Sequence, residues 1–118
     1  MQYLLLIYDD ESQMQSMSEA DRGKMYQEYG AFTQEIIASG NFKAGSELHP
    51  TSKATTVRLR DGKKLVTDGP FAETKEQLGG FYMVEAADLD EATAIAARIP
   101  SVRNGSIEVR PIVVRPGM

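Results

Sequence analysis

Two strand-like runs that are apolar on both faces most constrain the fold of this sequence. They are residues 3–8 (YLLLIY) and residues 81–84 (FYMV). Only two segments have the amphipathic spacing of helices, and two helices can cover only one face of a sheet of four or five strands. A bare second face would expose roughly 400 Å² or more of contiguous apolar surface, which is rare in a soluble monomer.

The simplest cover for that second face is another sheet packed about 10 Å away. Because the chain has no strands left to build such a sheet, the sequence predicts a homodimer whose two sheets pack face to face. A functional cleft is then expected between the sheet face and the loops at its rim. The alternative is a monomer that uses the apolar face as a groove for a ligand.

The order of predicted elements is strand, helix, strand, hairpin, strand, helix, strand. Ser18 and Asp88 have the positions of helix N-caps, and Asp61-Gly62 supplies a two-residue hairpin turn. The first helix carries an apolar stripe formed by Met25, Tyr29, Phe32 and Ile36. These patterns predict an α+β fold, ferredoxin-like βαββαβ with an added hairpin, in one domain spanning residues 1–118.

Composition excludes several classes of function. The absence of cysteine excludes disulfides, zinc–thiolate sites and thiol nucleophiles. The net charge of −4 argues against nucleic acid as a partner. A single histidine without cysteine argues against a zinc or iron site, and no nucleotide-binding loop is recognisable, so we expect no metal and no cofactor. The apolar run 3–8 is too short for a signal peptide or a membrane span, so we expect a cytoplasmic protein without a membrane partner.

The long polar connection from Asp68 to Phe81 is the predicted site. It spends about ten positions where a turn needs one or two, and such loops usually bind something or are disordered. Its Gly-Pro and Gly-Gly pairs and its apolar residues argue against disorder. The candidate catalytic residues are Asp68 and His49, and the candidate binding residues are Arg58, Phe71, Glu73, Lys75, Glu76 and Tyr82.

Each candidate has a structural alternative. Asp68 can act as a general base if burial or a neighbouring acid raises its pKa, or it can simply bond its own turn. His49, the only histidine, can serve as an acid or base, or be an exposed strand-end residue. Residues 73–76 either line a polar pocket or form a solvated helical turn. Arg58 is a substrate clamp or a structural ion-pair partner of Asp68 or Glu85. The two aromatic candidates either stack on a ligand or pack in the fold.

The runs 68–81, 55–58 and 107–111 resemble the YCII-related family, and within it the DGPF branch, which is named for the residues found at 68–71. The resemblance covers nearly the whole chain. It implies a dimeric α/β-barrel of ferredoxin-like protomers and says little about activity, although members are frequently encoded beside extracytoplasmic-function sigma factors.

Better-studied relatives pair a histidine on the first helix with an aspartate. This chain has no histidine between residues 18 and 40, so that mechanism is not carried over, and Asp68 is the candidate counterpart of the aspartate.

Two functional hypotheses follow. The first is a small enzyme that performs acid–base chemistry on a small polar molecule in a cleft at the sheet rim and dimer interface. The second is a non-catalytic ligand-binding or regulatory interaction module linked to sigma-factor systems. A buried Asp68 in a cleft would favour the enzyme, whereas an exposed Asp68 bonded to its own turn would favour the module.

Overall fold

The computed structural model describes residues 1–117. The elements in chain order are β1 (Gln2–Asp9), α1 (Glu11–Gln15), α2 (Glu19–Ala38), β2 (Phe42–Glu47), β3 (Thr55–Arg60), β4 (Lys63–Asp68), β5 (Gln77–Glu85), α3 (Leu89–Ala96) and β6 (Ser106–Pro111). Short 3-10 turns lie at Thr51–Lys53 and Pro100–Arg103. None of the helices within these residues combines the length and the apolarity that crossing a bilayer demands.

A four-stranded antiparallel sheet with the order β2-β5-β1-β6 forms the body, and β3 pairs with β4 in a separate two-stranded sheet. In the first β-α-β unit, β1 and β2 do not pair with each other, because β5 lies between them. This is the split β-α-β arrangement that the element order predicts, with the hairpin added between β2 and β5. The prediction of an α+β fold is therefore confirmed.

The predicted helix starts and hairpin turn are present. The Ser18 hydroxyl accepts a hydrogen bond from the Asp21 amide at 3.1 Å, and the Asp88 carboxylate accepts one from the Glu91 amide at 2.9 Å. Asp61 and Gly62 both have positive φ angles, of 52° and 73°. Two successive residues with positive φ form the turn whose twist matches that of a two-residue hairpin.

The core lies between one face of the four-stranded sheet and the helices α2 and α3. Alternate residues of β1 and β5 point into it, as the period of two along a strand requires. The buried side chains are Tyr3, Leu5, Ile7, Phe32, Ile36, Tyr82, Val84, Ala86, Ala92, Ile95, Ala96 and Ile99. Both helices therefore cover the same side of the sheet.

The opposite side of the sheet carries an apolar row that we call the open face, formed by Leu4, Leu6, Phe81 and Met83. Leu4 pairs with Met83 and Leu6 with Phe81 across β1 and β5, so the four side chains are contiguous. All four are only half-buried. The molecule is 18 Å thick, the depth of a single helix layer on a single sheet. In the described part of the chain no element packs extensively over this face.

Candidate functional site

A cleft with a volume of about 760 Å³ lies at one end of the sheet, between the end of β1, α1, residues 22–33 of α2, the strand β2 and residues 79–82 of β5. Its walls combine polar and apolar side chains. The lining side chains include Asp9, Glu11, Met14, Arg22, Met25, Tyr26, Tyr29, Thr33, Glu47, His49, Phe81, Tyr82 and Ser101. A smaller groove of about 260 Å³ between α2 and the Pro100–Arg103 turn is lined partly by paired charges.

Asp9 lies at the end of β1, where the strand passes the turn that precedes β6. Gly105 allows this close approach, since a Cβ atom there would lie 2.1 Å from the Tyr8 carbonyl oxygen and 2.6 Å from a carboxylate oxygen of Asp9. No side chain fits in that space without a backbone shift. Glycine at position 105 therefore fixes the carboxylate against the Pro100–Arg103 turn.

Asp9 is half-buried, and burial raises the pKa of its carboxyl group above the ordinary value of 3.8. The Ser101 hydroxyl nearby lowers this pKa in part, whereas the negative charge of Glu76 raises it further. The net direction is upward. A carboxyl group with a raised pKa holds or takes a proton more readily than an exposed one, which is what a general acid or base needs.

Tyr29 approaches the same group through Ser101. Its hydroxyl and the Ser101 hydroxyl are 2.5 Å apart, and Ser101 is only 5% exposed. Burial raises the pKa of Tyr29 to about 12, and the charge of Asp9 adds to this rise. Tyr29 therefore keeps its proton at neutral pH. Asp9, Ser101 and Tyr29 form a line of three polar groups along one wall of the cleft.

Two further tyrosines present hydroxyl groups to the cleft. The Tyr82 and Thr33 hydroxyls are 2.7 Å apart, and Thr33 also donates to the Tyr29 carbonyl oxygen at 2.8 Å. The Tyr26 hydroxyl donates to Glu47 at 3.1 Å, and this hydrogen bond is the largest cause that raises the pKa of Tyr26. The cleft is thus supplied with hydroxyl groups held by defined partners.

Most charged groups at the cleft already have hydrogen-bond partners within the protein. Glu11 accepts hydrogen bonds from the amide and the hydroxyl of Thr51, at 2.8 and 2.7 Å. Arg22, the one arginine or lysine that lines the cleft within residues 1–117, donates to the carbonyl oxygens of Met14 and Met17 at 3.1 and 3.5 Å. Across the same residues, no three histidine or acidic side chains cluster closely enough to share a metal ion. The arrangement suits a neutral ligand better than an anionic one.

Two residues that the sequence singled out lie at this cleft. His49 lies on its exposed rim, beyond the end of β2. Tyr82 forms part of its floor, is 8% exposed and makes an edge-to-face contact with Phe32 at 5.2 Å between ring centroids. The predicted catalytic role of His49 and the predicted binding role of Tyr82 stay predictions.

The hairpin candidates lie elsewhere. Asp68 is exposed at the end of β4 and does not line the cleft, so the buried position that would favour the enzyme is not found for this residue. Arg58 donates to the Phe71 carbonyl oxygen at 3.2 Å instead of pairing with Asp68 or Glu85, and the Phe71 side chain is 79% exposed. The catalytic role of Asp68 and the binding roles of Arg58 and Phe71 stay predictions.

The charged residues of the loop before β5 divide in two. Glu73 and Lys75 are exposed and do not line the cleft. Glu76 is half-buried, accepts a hydrogen bond from the Ser106 hydroxyl at 2.8 Å, and acts on Asp9 through its charge. The predicted connection thus lines the cleft directly with Gly79, Gly80 and Phe81, whereas its charged residues reach the cleft only through Glu76, as an electrostatic neighbour of Asp9.

Sequence reasoning missed Asp9, Tyr29 and Ser101 as site residues. Asp9 directly follows an apolar strand, and a polar residue at a strand end is a usable signal for a site. Tyr29 sits in the apolar stripe of the first helix and is read there as core. Ser101 has no local signal, because it reaches Tyr29 from 72 positions away.

Comparisons with known proteins agree with this architecture. The family model of the YCII-related domain matches residues 1–115. An uncharacterised protein of Rhizobium meliloti (strain 1021) is 38% identical over 120 residues, which cover 99% of this chain and 97% of that protein. The solved structure of 5-chloro-2-hydroxyhydroquinone dehydrochlorinase from Burkholderia phenoliruptrix AC1100, in complex with 2,5-dihydroxybenzoquinone, is similar with a TM-score of 0.55 and 16% identity, over 96% of this chain and 94% of that one.

Proposed function

The chain belongs to the YCII-related family, and we propose that it is a small enzyme that performs acid–base chemistry on a small polar molecule bound in the cleft beside Asp9. The observation that carries the proposal is the half-buried Asp9 carboxyl group, whose pKa is raised and which lines the same cleft as Ser101. Perturbed carboxyl groups in clefts concentrate at functional sites. The 68–71 motif supports placing the chain in the DGPF branch of the family.

The roles of the wall residues follow from their protonation. Asp9 takes a proton from the substrate as the general base and returns it as the acid. Tyr29 stays protonated at neutral pH, so its hydroxyl and that of Ser101 hold the Asp9 carboxylate in position. The Tyr82 hydroxyl, whose proton is donated to Thr33, can accept a hydrogen bond from a substrate hydroxyl at the floor of the cleft. This set of groups suits a molecule that carries hydroxyl or carbonyl groups and an ionisable C–H or O–H bond.

A homodimer is the proposed assembly, with the open faces of two copies packed on each other to form an α/β-barrel. The contiguous apolar row of Leu4, Leu6, Phe81 and Met83 supports it, since none of these side chains is fully covered within one chain. Phe81 lines the cleft as well. The cleft therefore borders the proposed interface.

A ligand screen with a residue-specific readout tests the proposed site. The structural neighbour's ligand, 2,5-dihydroxybenzoquinone, is the first probe, followed by other small hydroxylated rings and uncharged enolisable ketones, and a ligand of the folded state raises the melting temperature. In protein labelled with [methyl-13C]methionine, we expect hits to shift the signals of Met14 and Met25, which line the cleft. Met83, on the open face, is the internal control.

Shifts confined to Met83, or hits without any effect on Met14 and Met25, would place the ligand elsewhere and contradict the proposal. Binding in the cleft without turnover of any bound compound would instead support the non-catalytic ligand-binding module. The two readouts, methyl shifts and product formation, thus separate the site from the chemistry.

A further inference from the structure

We propose that the β3–β4 hairpin is an arm that docks on a second copy of this chain through the face that carries Val57, Leu59 and Val66. This goes beyond the proposed function, in which the dimer is held by the open faces of the sheets alone. The observations that carry it are the division of the hairpin into an apolar and a basic face, its lack of support from its own body, and its charge.

The strand register divides the hairpin into two unlike faces. Directly opposite residues of an antiparallel pair point to the same side. Val57 pairs with Val66 and Leu59 with Lys64, so Val57, Leu59 and Val66 form an apolar row on one side, which we call the apolar arm face; Lys64 lies beside this row near the turn, and Thr55 and Asp68 lie at its base. They are 62%, 68% and 54% exposed. The other side, the basic arm face, has Arg58 opposite Leu65 and Arg60 opposite Lys63.

The body of the same chain does not support the hairpin. Within the described residues, β3 and β4 pack extensively only on each other. Isolated two-stranded hairpins are marginally stable in water. The radius of gyration of 16.3 Å exceeds the roughly 13–14 Å expected for a compact chain of this length, and the molecule extends 48 Å and 46 Å in its two long directions. A projecting arm of this kind gains stability when something covers its apolar face.

Charge identifies a second copy of the chain as the occupant. Residues 55–68 contain four cations and two acids and therefore carry +2, while the whole chain carries −4, which leaves −6 on the remaining residues. A basic arm is attracted to the acidic body of another copy. In a two-fold dimer each arm docks on the other body, so every contact is made twice. A nucleic acid would engage the basic arm face and leave the apolar arm face bare.

Two neighbouring lysine substitutions on opposite faces test the arm. Val66→Lys places a charge on the apolar arm face, and Leu65→Lys, one residue away and 45% exposed, is the matched control on the basic arm face. In sedimentation equilibrium we expect Val66→Lys to raise the dimer dissociation constant about tenfold or more, because the lysine brings a charge into the interface in place of the apolar valine side chain. We expect Leu65→Lys to match the wild type.

A dimer of Val66→Lys as tight as that of the wild type would overturn the arm proposal, as would a wild-type chain that stays monomeric. If Val66→Lys remains dimeric while disruption of the open face dissociates the protein, the sheet-face dimer stands and the arm proposal fails. A monomeric chain that binds nucleic acid through the hairpin would also overturn it.

Hydrogen exchange of the unaltered protein provides a measurement that no folding failure can confound. We expect amides of residues 55–68 to exchange more slowly as protein concentration rises through the dimerisation range, because docking suppresses opening of the hairpin. Exchange of these amides that does not depend on concentration, in a chain that does dimerise, would overturn the arm proposal.

Discussion

Asp9→Asn is expected to lower turnover by about 10²–10⁴-fold, the usual contribution of a positioned general acid or base. Asparagine has nearly the same shape and can still accept a hydrogen bond from Ser101, so the wall of the cleft should keep its form. Its amide cannot take up the substrate proton. We therefore expect ligand affinity, read from methionine methyl titrations, to change far less than turnover.

The pH dependence of stability offers a second readout for the same variant. Burial raises the folded-state pKa of Asp9, so between its ordinary value of 3.8 and that raised value the folded state binds more protons than the unfolded state. Stability contributed by this group is therefore lost as pH rises through that window. Asp9→Asn removes the ionisation, and we expect it to unfold at pH 7 at the same temperature as the wild type or a higher one.

Asp68→Asn is the matched control, because it makes the same chemical change at an exposed site that does not line the cleft. If Asp68→Asn abolishes turnover while Asp9→Asn retains it, the cleft assignment is wrong and the sequence-based prediction for Asp68 is right. Unfolding of Asp9→Asn at room temperature would make Asp9 a structural residue.

Met83→Lys has the second largest expected effect. Met83 lies in the open face between Leu4 and the β2 strand, where the proposed partner sheet would bury it. Burying a methionine side chain contributes about 1.5–3 kcal/mol, and a lysine in its place must also bring a charge into an apolar interface. The variant is expected to sediment as a monomer, or to unfold if the monomer is not stable alone.

Ala94→Lys controls for the added charge, since Ala94 is exposed on α3, on the far side of the molecule from the open face. We expect it to sediment as the wild type does. A dimer of Met83→Lys as tight as the wild-type dimer would show that the open face is not the interface.

Local patterns were sufficient to predict the strands and the two longer helices of the fold, but not the short helix α1 (Glu11–Gln15). The caps at Ser18 and Asp88 and the turn at Asp61-Gly62 depend on backbone groups within three residues, so sequence reports them directly. The strand apolar on both faces, residues 3–8, has one face in the core and one in the open face. The pattern does not identify what covers the second face.

The site depended on tertiary position and was harder to predict. The stripe on the first helix predicted one continuous core face, yet Phe32 and Ile36 are buried while Met25 and Tyr29 line the cleft. Periodicity reports which side of a helix turns inward, and it does not report where the sheet beneath it ends. Ser101 likewise joins the site only through chain folding.

The loop from Asp68 to Phe81 attracted attention because it is long and charged. In the structure Phe71, from its first part, accepts a hydrogen bond from Arg58 of the hairpin, and its last part lines the cleft with Gly79, Gly80 and Phe81. Its length and polarity did not report which of its residues line the cleft. Of its charged residues only Glu76 acts on Asp9, through its charge.

The most direct test of the account is an NMR titration of the Asp9 side-chain carboxyl carbon in the wild type and in Ser101→Ala. We predict a wild-type pKa above 3.8, and a still higher pKa in Ser101→Ala because the Ser101 hydroxyl that lowers it is gone. An Asp9 carboxyl that titrates at or below 3.8 in the folded protein would contradict the claim that this cleft holds a carboxyl group prepared for acid–base chemistry.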